Sequence, residues 1–412
     1  MVASRLRVRG STESFLTRLA VVFADPVRLK IVTELFMREM SPTQFYEAFG
    51  GGSPTRVNRH FKRLAEFGWL RLVRKARGSG RGGLEHFYRA PELAVFDTAT
   101  WEELPRPIQS EFSWRIFEQF AERVNEALEA GTFDARLDRH FTWTPLVLDE
   151  EGWRRVVAAL DGFFESLFEE QDDAKLRLAR SAREPMLATV GLAAFESPRF
   201  ERNEAGLMDL PQPDSRRYAA SPSDLMKLAK VFADPMNLKI MTQLNLRPMS
   251  PTGFHDRFGG SKSTVYRNFK MLEDWGWLGR GEELSGGKRR GSTETYFFAR
   301  QPAIFDSCNW SKAPTAMRES SSWRIFEQLA EQVREAFDAG TFDARPERHH
   351  TWTPLVLDEE GWQKVIAAVD GLFHWLLREQ DDAKRRMQRS GESPVITTVY
   401  LAVFESPRFP FR

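Results

Sequence analysis

The chain has 412 residues, 59 Lys+Arg against 58 Asp+Glu for a net charge of +1, and 42% hydrophobic side chains. That balance excludes both a polybasic tail protein and an acidic disordered one, and it leaves enough apolar material for packed cores in two to four domains of about 150 residues. A single cysteine, Cys308, excludes an internal disulfide framework and any multi-thiolate metal site, and no apolar run reaches the length of a membrane span.

The first segment, MVASRLRVRGSTES, lacks the apolar stretch of a secretory signal, so the expected location is the cytoplasm. Phe15, Leu19, Val22 and Phe23 recur at helical spacing and predict a first helix. Pro26 suits the first turn of a second, with Ile31, Leu35 and Phe36 as its apolar face. Ser41-Pro42 opens a short third helix, Gly50-Gly51-Gly52 breaks it, and Ser53-Pro54 opens a fourth. In the fourth, Val57, Phe61 and Leu64 form the buried stripe, which turns Thr55, Arg56, Arg59, Lys62 and Arg63 outward. Gly68 ends that helix. Trp69 to Val73 reads as a strand, Arg74 to Gly83 as a basic glycine-rich tip, and Glu85 to Arg89 as the returning strand. Beyond them come a helix over about Glu111 to Ala130, a strand from His140 to Leu148, a long helix from Asp149 to about Ser181, and a strand from Met186 to Phe195. Strand, helix, strand predicts parallel pairing within this part.

The order then starts again. VFADPVRLKI at 22–31 returns as VFADPMNLKI at 231–240, SWRIFEQ at 113–119 returns at 322–328, and TWTPLVLDEEGW at 142–153 returns at 351–362, each 209 residues later. The chain is a tandem duplication. The reading is a helical and hairpin part at 12–98, a helix with β-α-β at 108–200, a polar linker at 201–221, and the same two parts at 222–307 and 317–409. Ten of the 12 Trp form five equivalent pairs between the copies, with only Trp275 and Trp375 unpaired. An aromatic kept at both places is most simply core or interface.

Helix, helix, turn, helix, then hairpin is the winged helix-turn-helix layout. FADPVRLKIVTEL resembles the ADP-containing helix of the ArsR-type winged-helix regulators, and SKSTVYRNFKMLEDWGWL at 261–278 resembles that superfamily's recognition helix and wing start. The resemblance covers about 80 residues in each copy and departs at Asn237, where copy one has Arg28. It implies an α+β chain with two winged helix-turn-helix domains, each followed by a helical and β-α-β dimerisation-type domain, arranged as an internal pseudo-dimer. It also implies double-stranded DNA as partner.

Charge agrees with that expectation. Residues 53–90 carry ten basic side chains and two acidic ones, and residues 261–300 carry eight and five. Such clustering is the footprint of a phosphate-binding surface, stronger in copy one. The expected DNA-contacting residues are Thr55, Arg56, Asn58, Arg59 and Lys62 on the fourth helix, with Arg74, Lys75, Arg77 and Arg81 on the wing. In copy two they are Lys262, Ser263, Thr264, Tyr266, Arg267 and Lys270, with Lys288, Arg289 and Arg290 on the wing. Arg59 and Arg267 suit bidentate contact to guanine, and Lys62 and Lys270 suit phosphate. The copies have drifted unevenly: 113–200 and 322–409 share 60 of 88 positions, 53–72 and 261–280 only 9 of 20. Inward residues are kept while the outward ones differ, Arg56, Asn58 and His60 standing where copy two has Thr264, Tyr266 and Asn268, so an asymmetric or pseudo-palindromic operator is expected.

The alternatives are a winged-helix module that docks on protein, and a small-molecule sensor with vestigial DNA binding. For the second, Trp143, Trp153, Trp352 and Trp362 are candidates to line a pocket for a small apolar effector, although an apolar core would use the same residues. The helix equivalent to the thiolate-sensing one is SPTQFYEAF or SPTGFHDRF, without cysteine, so no metal or other cofactor is expected. No P-loop, G-x-S-x-G or H-E-x-x-H is present, and the acidic runs read as solvated helix faces, so no catalysis is expected.

Overall fold

The structure is a computed structural model and describes residues 12–77, 84–96, 98–181, 183–198, 222–246, 248–281, 294–300, 310 and 313–407. The 201–221 segment, Cys308, Arg81 and the Lys288-Arg289-Arg290 run lie outside the described residues. The chain is α+β, mixed helix and sheet. Copy one opens with α1 (Thr12–Phe23), α2 (Pro26–Met37), α3 (Pro42–Phe49) and α4 (Pro54–Glu66), then a hairpin of β1 (Arg71–Arg77) and β2 (Leu84–Arg89). It continues with α5 (Thr98–Glu102), α6 (Arg106–Glu129), β3 (His140–Leu148), α7 (Glu150–Ala179) and β4 (Met186–Glu196). Copy two runs α8 (Pro222–Ala233), α9 (Pro235–Leu246), α10 (Pro251–Phe258), α11 (Lys262–Asp274), β5 (Leu278–Arg280) and β6 (Phe297–Ala299). Its second part has α12 (Thr315–Asp338), β7 (His349–Leu357), α13 (Glu359–Ser390) and β8 (Val395–Glu405).

The parallel pairing expected within each copy does not occur. The four long strands form one sheet in the order β3-β8-β4-β7, and every neighbouring pair is antiparallel and joins one copy to the other. β3 and β4 do run in the same direction, as a strand–helix–strand crossover requires, but β8 lies between them; β4 likewise lies between β7 and β8. Each helix leaves a gap one strand wide, and the other copy fills it. The period-two pattern of each strand serves two buried faces. Leu146, Val190, Leu192, Leu355, Leu401 and Val403 meet α7 and α13, whereas Phe141, Ala193, Phe195, Tyr400 and Phe404 meet α6 and α12. Gly191 is required by this second contact, since a Cβ there would come within 2.4 Å of the Phe120 ring.

Polar contacts close the same seam. Asp149 caps α7 by accepting from Gly152 N at 2.8 Å and pairs with Arg386 of α13 at 2.6 Å. Asp358 caps α13 through Gly361 N and pairs with Arg177 of α7 at 2.7 Å. The Arg177 guanidinium and the capped backbone hold the Asp358 carboxyl down at about 2. The edge strands are tied across copies as well: Gln380 Oε1 accepts from Val147 N, and Gln171 Oε1 accepts from Val356 N, both at 2.9 Å. The N-terminal parts cross over too, because α2 lies against β7 and α9 against β3. α2 is also fixed to α6 of its own copy by Lys30, which reaches Glu122 and Glu126, and by the buried Arg123–Glu34 pair.

Half the chain therefore leaves the edges of β3 and β4 bare and the caps of α7 without their arginine. Residues 1–200 expressed alone are expected to associate or stay unfolded, because exposed strand edges recruit further strands. Light scattering with circular dichroism checks this; a stable folded monomer of 1–200 would contradict the interleaved sheet.

Candidate nucleic-acid interface

The fourth helix of each copy is built alike. Ser53 caps α4 by accepting from Arg56 N at 3.2 Å, and Ser261 caps α11 by accepting from Thr264 N at 3.2 Å. The preceding turn needs residues that tolerate positive φ. Gly51, at +100°, also sits where a Cβ would press on Val27 and Val57 at 3.1 Å. Val57, Phe61 and Leu64 are fully buried, as are Val265, Phe269 and Leu272. Each such side chain contributes roughly 1.5–3 kcal/mol of burial, which fixes the rotation of the helix. The hairpin is held to α3 by Ser41, which donates to Glu85 at 2.5 Å, and by the Met40–Tyr88 bridge. In copy two, Ser250 donates to Glu294 at 2.5 Å, and Met249 bridges Phe297.

Fixed this way, α4 presents Thr55, Asn58, Arg59 and Lys62 to solvent, and α11 presents Lys262, Ser263, Tyr266, Arg267 and Lys270. Arg59, Lys62, Arg267 and Lys270 make no ion pair or hydrogen bond among the described residues. Thr264 is half-buried at the Ser261 cap, and the Tyr266 hydroxyl meets Thr252 Oγ1 at 2.7 Å. On the hairpin, Lys75 is exposed, while Arg74 pairs with Glu39 at 2.5 Å and covers the Phe87 ring at 3.7 Å. An exposed pair of that kind contributes about 0–1 kcal/mol, so a phosphate can displace Glu39 at little cost. Arg77 closes β1 and its side chain lies outside the described residues.

His60 and Asn268 do not face outward. They lie three residues after Val57 and Val265, on the buried stripe, with exposures of 7% and 1%. His60 Nε2 accepts from Arg56 Nε at 3.2 Å and stands 3.6 Å from Asp25, which caps α2; Asn268 Nδ2 donates to Asp234 at 3.2 Å. Arg56 reaches Asp25 at 3.1 Å. Arg28 and Arg63 join this group, so a shallow cleft on copy one is lined by Asp25, Arg28, Arg56, Arg59, His60 and Arg63. The sequence reading missed Arg28, which lies far from α4 along the chain. In copy two the same places hold Asn237, Thr264, Arg267, Asn268 and Met271, so one of the four arginines remains. At this cleft, then, copy one carries more positive charge than copy two.

The four candidate tryptophans are not brought together. Trp153 and Trp362 are fully buried at the starts of α7 and α13, beneath Arg345 and Arg136, and Trp153 Nε1 donates to Glu347 at 2.9 Å. Trp143 and Trp352 are half-buried on β3 and β7, and Trp352 lines a cavity at the β7 edge. Their burial is what a packed core requires. Among the described residues no three His, Cys, Asp or Glu side chains gather as a metal site would need, and no helix is long and apolar enough to cross a membrane.

No family model, curated protein or solved structure matches the chain.

Burial first, then the Arg28, Arg56 and Arg59 guanidiniums, holds the His60 imidazole below its ordinary 6.5, although Asp25 pulls the other way. A neutral His60 stabilises the fold above the unfolded value, and that contribution is lost as pH falls through the lowered folded one. His60→Asn, the copy-two residue, should therefore shrink the loss of stability between about pH 7.5 and about pH 5.5. Urea-unfolding midpoints at the two pH values measure it; an unchanged difference would contradict the buried, neutral assignment.

Proposed function

We propose that the protein is a sequence-specific double-stranded DNA-binding transcriptional regulator in which one chain supplies two ArsR-like winged helix-turn-helix heads on an internal pseudo-dimeric scaffold. The observation that carries this reading is the pair of capped helices, α4 and α11, with apolar inner faces and with Arg59, Lys62, Arg267 and Lys270 exposed and unpaired among the described residues. Helices of this kind dock in the major groove, where arginine pairs with guanine O6 and N7 and lysine meets phosphate. Arg28, Arg56 and Arg63 add a concentrated positive field beside α4 that α11 lacks. Head one then supplies most of the phosphate attraction, and head two supplies a different reading surface, through Tyr266 in place of Asn58.

A specific feature favours a second reading: Leu72, Val73 and Leu84 on the first hairpin are 47%, 51% and 65% exposed. Apolar side chains on a basic hairpin suit a protein partner. Salt separates the two readings, since phosphate neutralisation makes log K fall linearly with log salt. With duplex selected from a random library, changing copy one toward copy two (Arg28→Asn, Arg56→Thr, Arg63→Met) should flatten that slope by about one for each phosphate no longer neutralised. Arg59→Ala with Arg267→Ala should remove roughly 1–3 kcal/mol of discrimination for each guanine no longer read. Fluorescence anisotropy over a salt series measures both; weak salt-independent binding would overturn the DNA reading, and unaltered preference in the double variant would overturn the assignment of Arg59 and Arg267 as its readers.

A further inference from the structure

A cavity of about 330 Å³ lies between the N-terminal part of copy one and the β7 edge of the shared sheet. Phe23 and Leu29 of the first two helices, Phe96, and Trp101 of α5 form one wall, while His350 and Trp352 of β7 stand opposite. The volume falls within the range of about 300–1,000 Å³ that small-molecule sites occupy, and apolar and aromatic lining with few polar groups is their usual character.

Most of the polar groups in this lining are already occupied. His349 is held by Asp161 at 2.6 Å and Thr351 at 2.9 Å, Arg348 by Asp343 at 2.6 Å, and Thr33 by the Leu29 carbonyl at 2.9 Å. His350 is the exception. It is 6% exposed, and neither ring nitrogen has a partner among the described residues. Burial, with Arg348 and His349 close by, keeps its ring neutral, so it offers one N–H and one lone pair. A buried polar group left unpaired costs roughly 1–3 kcal/mol, and a site that binds something is one place where that cost is retained.

The equivalent position in copy one holds Phe141, which packs edge-on against Phe133 in the core. Phe141 and His350 lie on the sheet face toward α6 and α12, at the same level of their strands. Packing alone is met by phenylalanine there, so the histidine adds only its two nitrogens.

We propose that this cavity is a binding site for one small, uncharged aromatic molecule that carries a hydrogen-bonding group, with its rings between Phe96, Trp101 and Trp352 and its polar group paired with His350. An anion is disfavoured because the mouth carries the exposed carboxylates Asp161 and Glu165 and the buried guanidinium of Arg348 is committed to Asp343; a cation is disfavoured because Asp161 is already held by His349 and Glu165 stands in solvent, outside the apolar interior. The proposal does not depend on DNA binding.

Naphthalene and 1-naphthol, which differ by one hydroxyl, test it by equilibrium dialysis against the full-length protein. One saturable site per chain is expected, with 1-naphthol preferred by about three- to tenfold, the worth of one hydrogen bond. His350→Phe should bring the two affinities together, whereas His350→Gln, which keeps a donor and an acceptor, should retain the preference. Val95→Trp, which fills the cavity from its loop side, should abolish saturable binding of both. The affinity ratio is an internal control for folding, so it stays informative if the tryptophan variant unfolds. Absence of a saturable site, a preference unchanged in His350→Phe, or full binding in a folded Val95→Trp would overturn the proposal.

Discussion

The cross-copy pairing of β4 with β8 is the constraint on which the rest of the molecule depends. These two strands form the centre of the sheet, and each is flanked on both sides by strands of the other copy. Apart from its hairpin, neither copy pairs its own strands with one another among the described residues. The ion pairs follow the same logic: the carboxylate that caps each long helix is held by an arginine from the other copy's long helix. Because α2 rests on β7 and α9 on β3, the N-terminal parts inherit their placement from the interleaving. Joining the copies in one chain removes the concentration dependence that two separate chains would face in forming this sheet.

The duplication also permits the copies to diverge without losing their common frame. The buried Glu34–Arg123 pair of copy one corresponds to Gln243 and Gln332 in copy two, a charged pair set against two amides in similarly buried places. Asp25 and Asp234 keep their capping role, while their neighbours change from Arg56 and His60 to Thr264 and Asn268. In the sheet, Phe141 corresponds to His350 and Gly191 to Tyr400. The first and last of these changes lie in the buried core, whereas the changes at Arg56 and His60 lie at the cleft beside α4 and the one at His350 lines the β7-edge cavity.

Much of this was legible in the sequence. The β3 limits and the long α7 helix followed from residue pattern and from acidic residues at a helix start, which are local signals, although the helix was read from Asp149, which is its cap. The outward face of α4 followed from Val57, Phe61 and Leu64. The same wheel places His60 beside Val57, so its burial was available from spacing, but its polarity suggested solvent. Strand pairing was not available, because a strand–helix–strand pattern reads the same whether the gap is closed by its own second strand or by a strand from elsewhere. Arg28 joins α4 only through tertiary packing, and His350 gains meaning only from its nitrogens' lack of partners among the described residues.

The central claim is that one chain presents two unequal DNA-reading heads on one interleaved scaffold. Hydroxyl-radical footprinting on a selected duplex, at a stoichiometry fixed by native mass spectrometry, tests it most directly. The account predicts two protected patches on one face of the duplex, about one helical turn apart, from a single bound chain. It also predicts that the patch which disappears in an Arg59→Ala variant differs from the patch which disappears in Arg267→Ala. A single protected patch, or two patches that require two chains, would contradict it.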